Sequence, residues 1–78
     1  MRIHYSTDEP IKVEVLDILK NKPLTAYEIK RKLQGRNILI SYARLRRILD
    51  ELVSEGLIER YEEGNKILYI TQYLLKKK

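Results

Sequence analysis

Seventy-eight residues, 44% hydrophobic and 35% charged, suit one compact soluble domain with only a marginal core of its own. The absence of cysteine excludes a disulfide framework and a zinc–thiolate site, and 16 Lys+Arg against 11 Asp+Glu leave a net charge of +5. No apolar run approaches the roughly 20 residues of a membrane span, and Met1–Tyr5 contains no signal-peptide apolar stretch, so a cytoplasmic protein is expected.

Residues 1–9 are read as an N-terminal arm that runs into a helix start. Ser6 and Glu9 have the spacing of a capping box, and Pro10 suits a first helical turn. Ile11, Val15, Ile18 and Leu19 then form one apolar face that ends near Lys20, where Asn21-Lys22-Pro23 stops the helix. Pro23-Leu24 is a candidate short strand. A second capping box, Thr25 with Glu28, opens a short helix with Ala26, Ile29 and Leu33 inward. Gly35 stands where a C-terminal cap glycine belongs.

Ser41 caps the next helix, with Ile40 and Leu45 spaced as a hydrophobic staple. Its inward stripe is Leu45, Ile48, Leu49 and Leu52, and Gly56 ends it. The period then changes to that of strands. Segments 57–62 and 66–70 flank Glu63-Gly64-Asn65, whose Gly and Asn suit the positive φ of a tight hairpin. Thr71 begins a C-terminal segment, 72–78, read as a short helix with a basic tail. The whole chain, 1–78, is one domain with its core at 10–71.

Charge is segregated along this order. Residues 1–22 are neutral. From Glu28 to Arg47 there are seven basic residues and one acidic, a net +6. From Asp50 to Glu63 there are six acidic residues and one basic, a net −5, and Lys66 with the three terminal lysines adds +4. Such asymmetry suits either a polyanionic partner for the middle third or a solvated basic face. The catalytic inventory is thin. The single histidine, His4, lies near a terminus, the three glycines form no phosphate loop, and no nucleophile–base pair or metal-ligand spacing stands out. An enzyme is not expected, nor a cofactor or metal.

The order helix, short helix, turn, helix, hairpin resembles the winged helix-turn-helix domain of small bacterial and archaeal transcriptional regulators over residues 10 to 71. Leu24–Leu33 looks like the positioning helix, and Ser41–Leu52 looks like the recognition helix. Leu52-Val53-Ser54-Glu55-Gly56-Leu57-Ile58-Glu59-Arg60 is similar to the exit into the wing in MarR-like and PadR-like repressors, and Ile70-Thr71 looks like the end of their second wing strand. The resemblance implies an α+β, mainly helical fold: a three-helix core plus a β-hairpin wing. It also implies sequence-specific double-stranded DNA binding, with the helix 41–55 in the major groove.

Groove chemistry agrees with that reading. Base contacts come from the first two turns of such a helix. On a helical wheel Ala43 and Arg47 point away from the apolar stripe, with Arg44 and Arg46 flanking them. Arginine suits guanine edges and phosphates, and small Ala43 permits close approach. The residues expected to touch DNA are Ser41, Tyr42, Ala43, Arg44, Arg46 and Arg47, with Lys30, Arg31, Lys32, Arg36 and Lys66 on the phosphates. The hairpin tip departs from a basic wing. Glu62 and Glu63 stand there, so a short wing with little DNA contact is expected.

Most such regulators act as C2 dimers. Tyr5 and Ile3 in the arm, with Tyr69, Tyr73, Leu74 and Leu75 near the C-terminus, are candidates for that contact or for a roof over the small core. Two other uses suit the same pattern: a winged helix that binds protein, and a non-specific nucleic-acid binder. The scarcity of cysteine, methionine and amides, with abundant Lys, Glu and Arg, leans towards a thermophile, and the resemblance includes small archaeal and archaeal-viral proteins.

Overall fold

The computed structural model describes residues 8–71. They form three helices and three strands: α1 (Glu9–Leu19), β1 (Leu24–Thr25), α2 (Ala26–Gly35), α3 (Tyr42–Ser54), β2 (Ile58–Glu63) and β3 (Lys66–Thr71). Within the arm and the tail, Ile3, Tyr5, Tyr73, Leu74, Leu75 and the expected C-terminal helix lie outside the described residues.

The helix ends are set by local hydrogen bonds. α1 starts two residues later than the Ser6–Glu9 pairing requires. Asp8 is its N-cap, so Glu9 occupies the first helical position rather than the third, and Pro10 lies within the first turn. Proline fits there because its missing N–H has no intrahelical partner to lose. At α2 the capping box forms as expected. Thr25 Oγ1 accepts from the Glu28 N–H at 3.2 Å, and Glu28 Oε1 accepts from the Thr25 N–H at 2.9 Å.

The end of α2 differs from expectation. Gly35 is the last helical residue, and the left-handed position falls on Asn37, at φ 64°. The Asn37 N–H donates to Gln34 O at 3.0 Å, and the Ile38 N–H donates to Leu33 O at 2.9 Å. These are the two bonds of a Schellman closure, and asparagine is the residue other than glycine that best tolerates the left-handed region. α3 ends in the same closure, with Gly56 at φ 79°. There the Gly56 N–H donates to Val53 O and the Leu57 N–H to Leu52 O, both at 3.0 Å. At its start Ser41 Oγ accepts from the Arg44 N–H at 3.1 Å, and Ile40 and Leu45 are both buried as a staple demands.

β2 and β3 pair antiparallel from Ile58↔Thr71 to Glu63↔Lys66, leaving Gly64-Asn65 as a two-residue loop. Only Gly64 of the two has positive φ, the pattern of a type II′ turn. β1 pairs with the other edge of β3 through Leu24↔Tyr69 and Thr25↔Leu68, giving the order β1-β3-β2. The short strand expected at Pro23-Leu24 is thus displaced by one residue.

One core joins all these elements. α1 contributes Ile11, Val15, Ile18 and Leu19, α2 contributes Ala26, Ile29 and Leu33, and α3 contributes Leu45, Ile48, Leu49 and Leu52. Ile38, Ile40 and Ile58 close its ends, and Leu24 and Tyr69 cover it from the sheet. Tyr69, expected among the dimer contacts, is 1% exposed and belongs to this core. Alternation along β3 turns Tyr69 and Thr71 inward together, which removes the ring from any outer surface.

Leu49 is completely buried, so Leu49→Ala should cost about 3 kcal/mol in chemical denaturation through lost contacts and a residual cavity. The backbone hydrogen bond from Thr25 holds the Glu28 carboxyl below its ordinary 4.5. Its contribution to stability is therefore present above that pH and is lost as pH falls through the lowered folded value. The difference in melting temperature between wild type and Glu28→Ala should hold from pH 7 to about pH 4.5 and close below it.

Candidate nucleic-acid interface

The three leucines and one isoleucine that α3 gives to the core fix what the rest of that helix shows. Opposite them stand Ala43, Arg47, Asp50 and Ser54, all exposed. Arg44, Glu51 and Glu55 lie on the flank towards α1, and Tyr42 and Arg46 on the flank towards the hairpin.

The acids of α3 are neutralised from neighbouring elements. Lys12 of α1 is buried, and its Nζ lies 3.1 Å from Glu55 Oε2 and 3.3 Å from Glu51 Oε1. The hydrogen bond to Glu55, more than the one to Glu51, raises the Lys12 pKa above that of a free lysine. Arg60 of β2 places Nη1 3.0 Å from Asp50 Oδ1. The later turns of α3 therefore present little net negative charge, while its first two turns carry Arg44, Arg46 and Arg47. Asp8 stands beside two of these. Its Oδ1 is 2.8 Å from Arg44 Nη2, and its Oδ2 is 3.9 Å from Arg47 Nη2.

A cleft of about 500 Å³ separates α3 from the hairpin and the start of α2, lined by Thr25, Tyr27, Tyr42, Arg46, Lys66 and Tyr69 among others. Arg46 forms its basic wall. Its guanidinium lies 6.0 Å from the centroid of the Tyr42 ring, within cation–π range. The Tyr69 and Tyr42 oxygens, Tyr69 foremost, raise its pKa further. Its Nε is buried and has no hydrogen-bond partner among protein atoms.

Basic residues of α2 divide between two sides. Arg31 is exposed and pairs with Tyr27 one turn earlier, its Cζ 5.9 Å from the ring centroid and its Nη1 donating to Tyr27 Oη at 3.4 Å. Lys30 is half-buried and Lys32 exposed. Arg36 is committed to α1 instead. Its Nη1 is 2.6 Å from Glu14 Oε1, and its Nη2 is 3.0 Å from Asp17 Oδ2.

Ser41, Tyr42, Ala43, Arg46, Arg47 and Lys66 thus come together around one end of α3, with Arg44 on its α1 flank, and Arg36 sits apart. Lys66 is exposed beside the turn, next to Glu62 and Glu63 across the hairpin. Sequence reasoning passed over Tyr27 and Asp8. Tyr27 carried a signal, its spacing of four from Arg31 on one helix. Asp8 carried none, because 36 residues separate it from Arg44.

Residues 15–73 match the family model of the F-93 winged-helix domain. The chain belongs to that family. Its fold is also similar to solved winged-helix structures. RosR of H. salinarum, in its complex with S4, is 25% identical with a TM-score of 0.72, over 80% of this chain and 56% of that one. Bacillus subtilis PadR in complex with operator DNA is 19% identical with a TM-score of 0.68, over 85% of this chain and 42% of that one. HOP2, described through its DNA recognition and homologous DNA pairing, is 25% identical with a TM-score of 0.68, over 78% of this chain and 97% of that one. No curated protein matches the chain. The chain spans about half the length of RosR and PadR.

In this winged-helix domain α2 and α3 form the helix-turn-helix, and β2 with β3 forms the wing. Among the described residues no helix is long and apolar enough to cross a membrane, and no group of three His, Cys, Asp or Glu is placed to hold a metal ion. Burial of Arg46 Nε has a direct spectroscopic consequence. Its Nε–H proton should exchange with solvent more slowly than that of exposed Arg47, as measured by nitrogen-edited NMR of the free protein.

Proposed function

We propose that the chain is a sequence-specific double-stranded DNA-binding protein, a transcriptional regulator that acts as a homodimer. The N-terminal half of α3 enters the major groove. The observation that carries this reading is the division of charge along α3. Its first two turns hold three arginines around small, exposed Ala43, and its later acids are paired with Lys12 and Arg60. A carboxylate facing phosphates would repel them, so neutralising Glu51, Glu55 and Asp50 from behind suits a helix that approaches DNA end-on. PadR, a protein of similar fold, is solved in complex with operator DNA, which supports DNA as the partner.

Within this reading Arg44, Arg47 and Ala43 address base edges, with Ser41 and Tyr42 at the groove margin. Lys30, Arg31, Lys32, Arg46 and Lys66 take phosphates. The cleft between α3 and the wing gives Arg46 and Lys66 one backbone strand to share. Arg36 has no part in the contact, since Glu14 and Asp17 already hold its charge. Five phosphate contacts correspond to a loss of affinity of roughly 500-fold between 50 and 200 mM salt. Dimerisation through the arm and the C-terminal segment, with Tyr5, Tyr73 and Leu74, doubles the base pairs read, by two half-sites about one helical turn apart. A soluble protein of the cytoplasm, or of a host cytoplasm, suits this role.

Selection of bound duplexes from a random pool, alongside the solution mass, tests the proposal. An enriched palindrome and a dimer mass are expected. Arg47→Ala should relax preference at one base position by about tenfold, and Arg36→Ala should leave affinity within about twofold. No enrichment at any salt concentration overturns the proposal.

A further inference from the structure

Asp8 stands at the N-cap of α1, yet its side chain caps nothing. An aspartate there ordinarily accepts a bond from a backbone N–H of the first turn. Here the Asp8 backbone is already helical, at φ −87° and ψ −10°, and no capping bond forms. The carboxylate turns across to α3 instead. Its Oδ1 accepts from Arg44 Nε at 3.1 Å and from Arg44 Nη2 at 2.8 Å, while Oδ2 lies 3.9 Å from Arg47. The contact is partly shielded, with the Asp8 side chain 24% and the Arg44 side chain 31% exposed. A negative charge therefore stands among the arginines of the very helix end assigned to DNA, where it weakens attraction to every phosphate nearby.

We propose that Asp8 is a positioning residue for base recognition: it orders Arg44 on the recognition helix and lowers affinity for DNA of the wrong sequence. This rests on the DNA-reading function proposed above. Two N–H groups on one carboxylate oxygen fix the plane of a guanidinium that would otherwise sample many rotamers. An arginine ordered before binding loses less freedom on meeting its base edge. The same carboxylate cancels one positive charge of the Arg44–Arg47 pair. A duplex that offers only phosphates gains less from the site, while a duplex that offers the matching base edge gains from the ordered fork. Arg47 is 63% exposed and only loosely approached by Asp8, and it keeps its freedom to adjust.

The test uses the full chain, its best duplex from a random pool, and a scrambled duplex of equal length. Asp8→Ala should tighten binding to the scrambled duplex about threefold to tenfold, and its salt slope should steepen by about one. The preference for the best duplex should fall about tenfold. Asp8→Asn, which keeps the shape and a good N-cap residue, should move both quantities in the same directions. In an Arg44→Ala background the effect of Asp8→Ala on preference should vanish. A purely structural role would weaken both duplexes alike and lower the melting temperature, and that result overturns the inference. An enriched duplex with a preference unchanged in Asp8→Ala overturns the inference and leaves the DNA-reading function standing. If wild type enriches no duplex, both fall.

Discussion

Burial of one stripe of α3 governs the rest of the molecule. Leu45, Ile48, Leu49 and Leu52 are wholly buried, and each removes apolar surface worth roughly 1.5–3 kcal/mol from water. No other helix among the described residues is so fully committed. Once that stripe faces α1, α2 and the sheet, the opposite face can only be Ala43, Arg47, Asp50 and Ser54. The rotation of α3 about its own axis is therefore decided by packing, and the surface offered to a partner follows from it.

The ion pairs then distribute charge around that fixed helix. Lys12 binds Glu51 and Glu55, Arg60 binds Asp50, Arg36 binds Glu14 and Asp17, and Asp8 binds Arg44. The exposed ones among them, such as Arg60–Asp50, add little stability, typically under about 1 kcal/mol each. Their effect is directional. They remove negative potential from the sides of α3 and restrict the mobile cations on its outer face to a few. The wing takes part as an anchor for Asp50 through Arg60 rather than as a basic finger, and its tip stays acidic at Glu62 and Glu63.

Much of the fold was legible because its signals are local. Thr25 with Glu28, Ser41 with its staple, Gly56 and the Gly64-Asn65 turn each act within five residues, so composition and spacing suffice to place them. The misplacements have equally local causes. Gly35 suits a cap because glycine is the usual left-handed residue, yet the helix runs through Gly35 and closes on Asn37. The Ser6–Glu9 spacing matched a capping box, but the helix begins at Glu9 itself. For Tyr69 residue type leaves a dimer contact and a roof over the core both open, and the register of β3 between β1 and β2 decides for the core.

The charged surface divides the same way. Periodicity alone assigned Ala43 and Arg47 to the outer face of α3 and Leu45, Ile48, Leu49 and Leu52 to the inner one, because a helix is a short-range object with a known pitch. What the sequence could not determine is which cations are already engaged. Arg36 and Lys32 look alike in a basic run, and only the packing of α1 beside α2 brings Glu14 and Asp17 to Arg36. Asp8 and Arg44 lie 36 residues apart and meet only because α1 and α3 share a core. The sequence by itself determined the family of shapes and the helix that carries the arginines. The tertiary structure decided which arginines are held and which stay available, because ion pairing depends on distances between elements that no local pattern encodes.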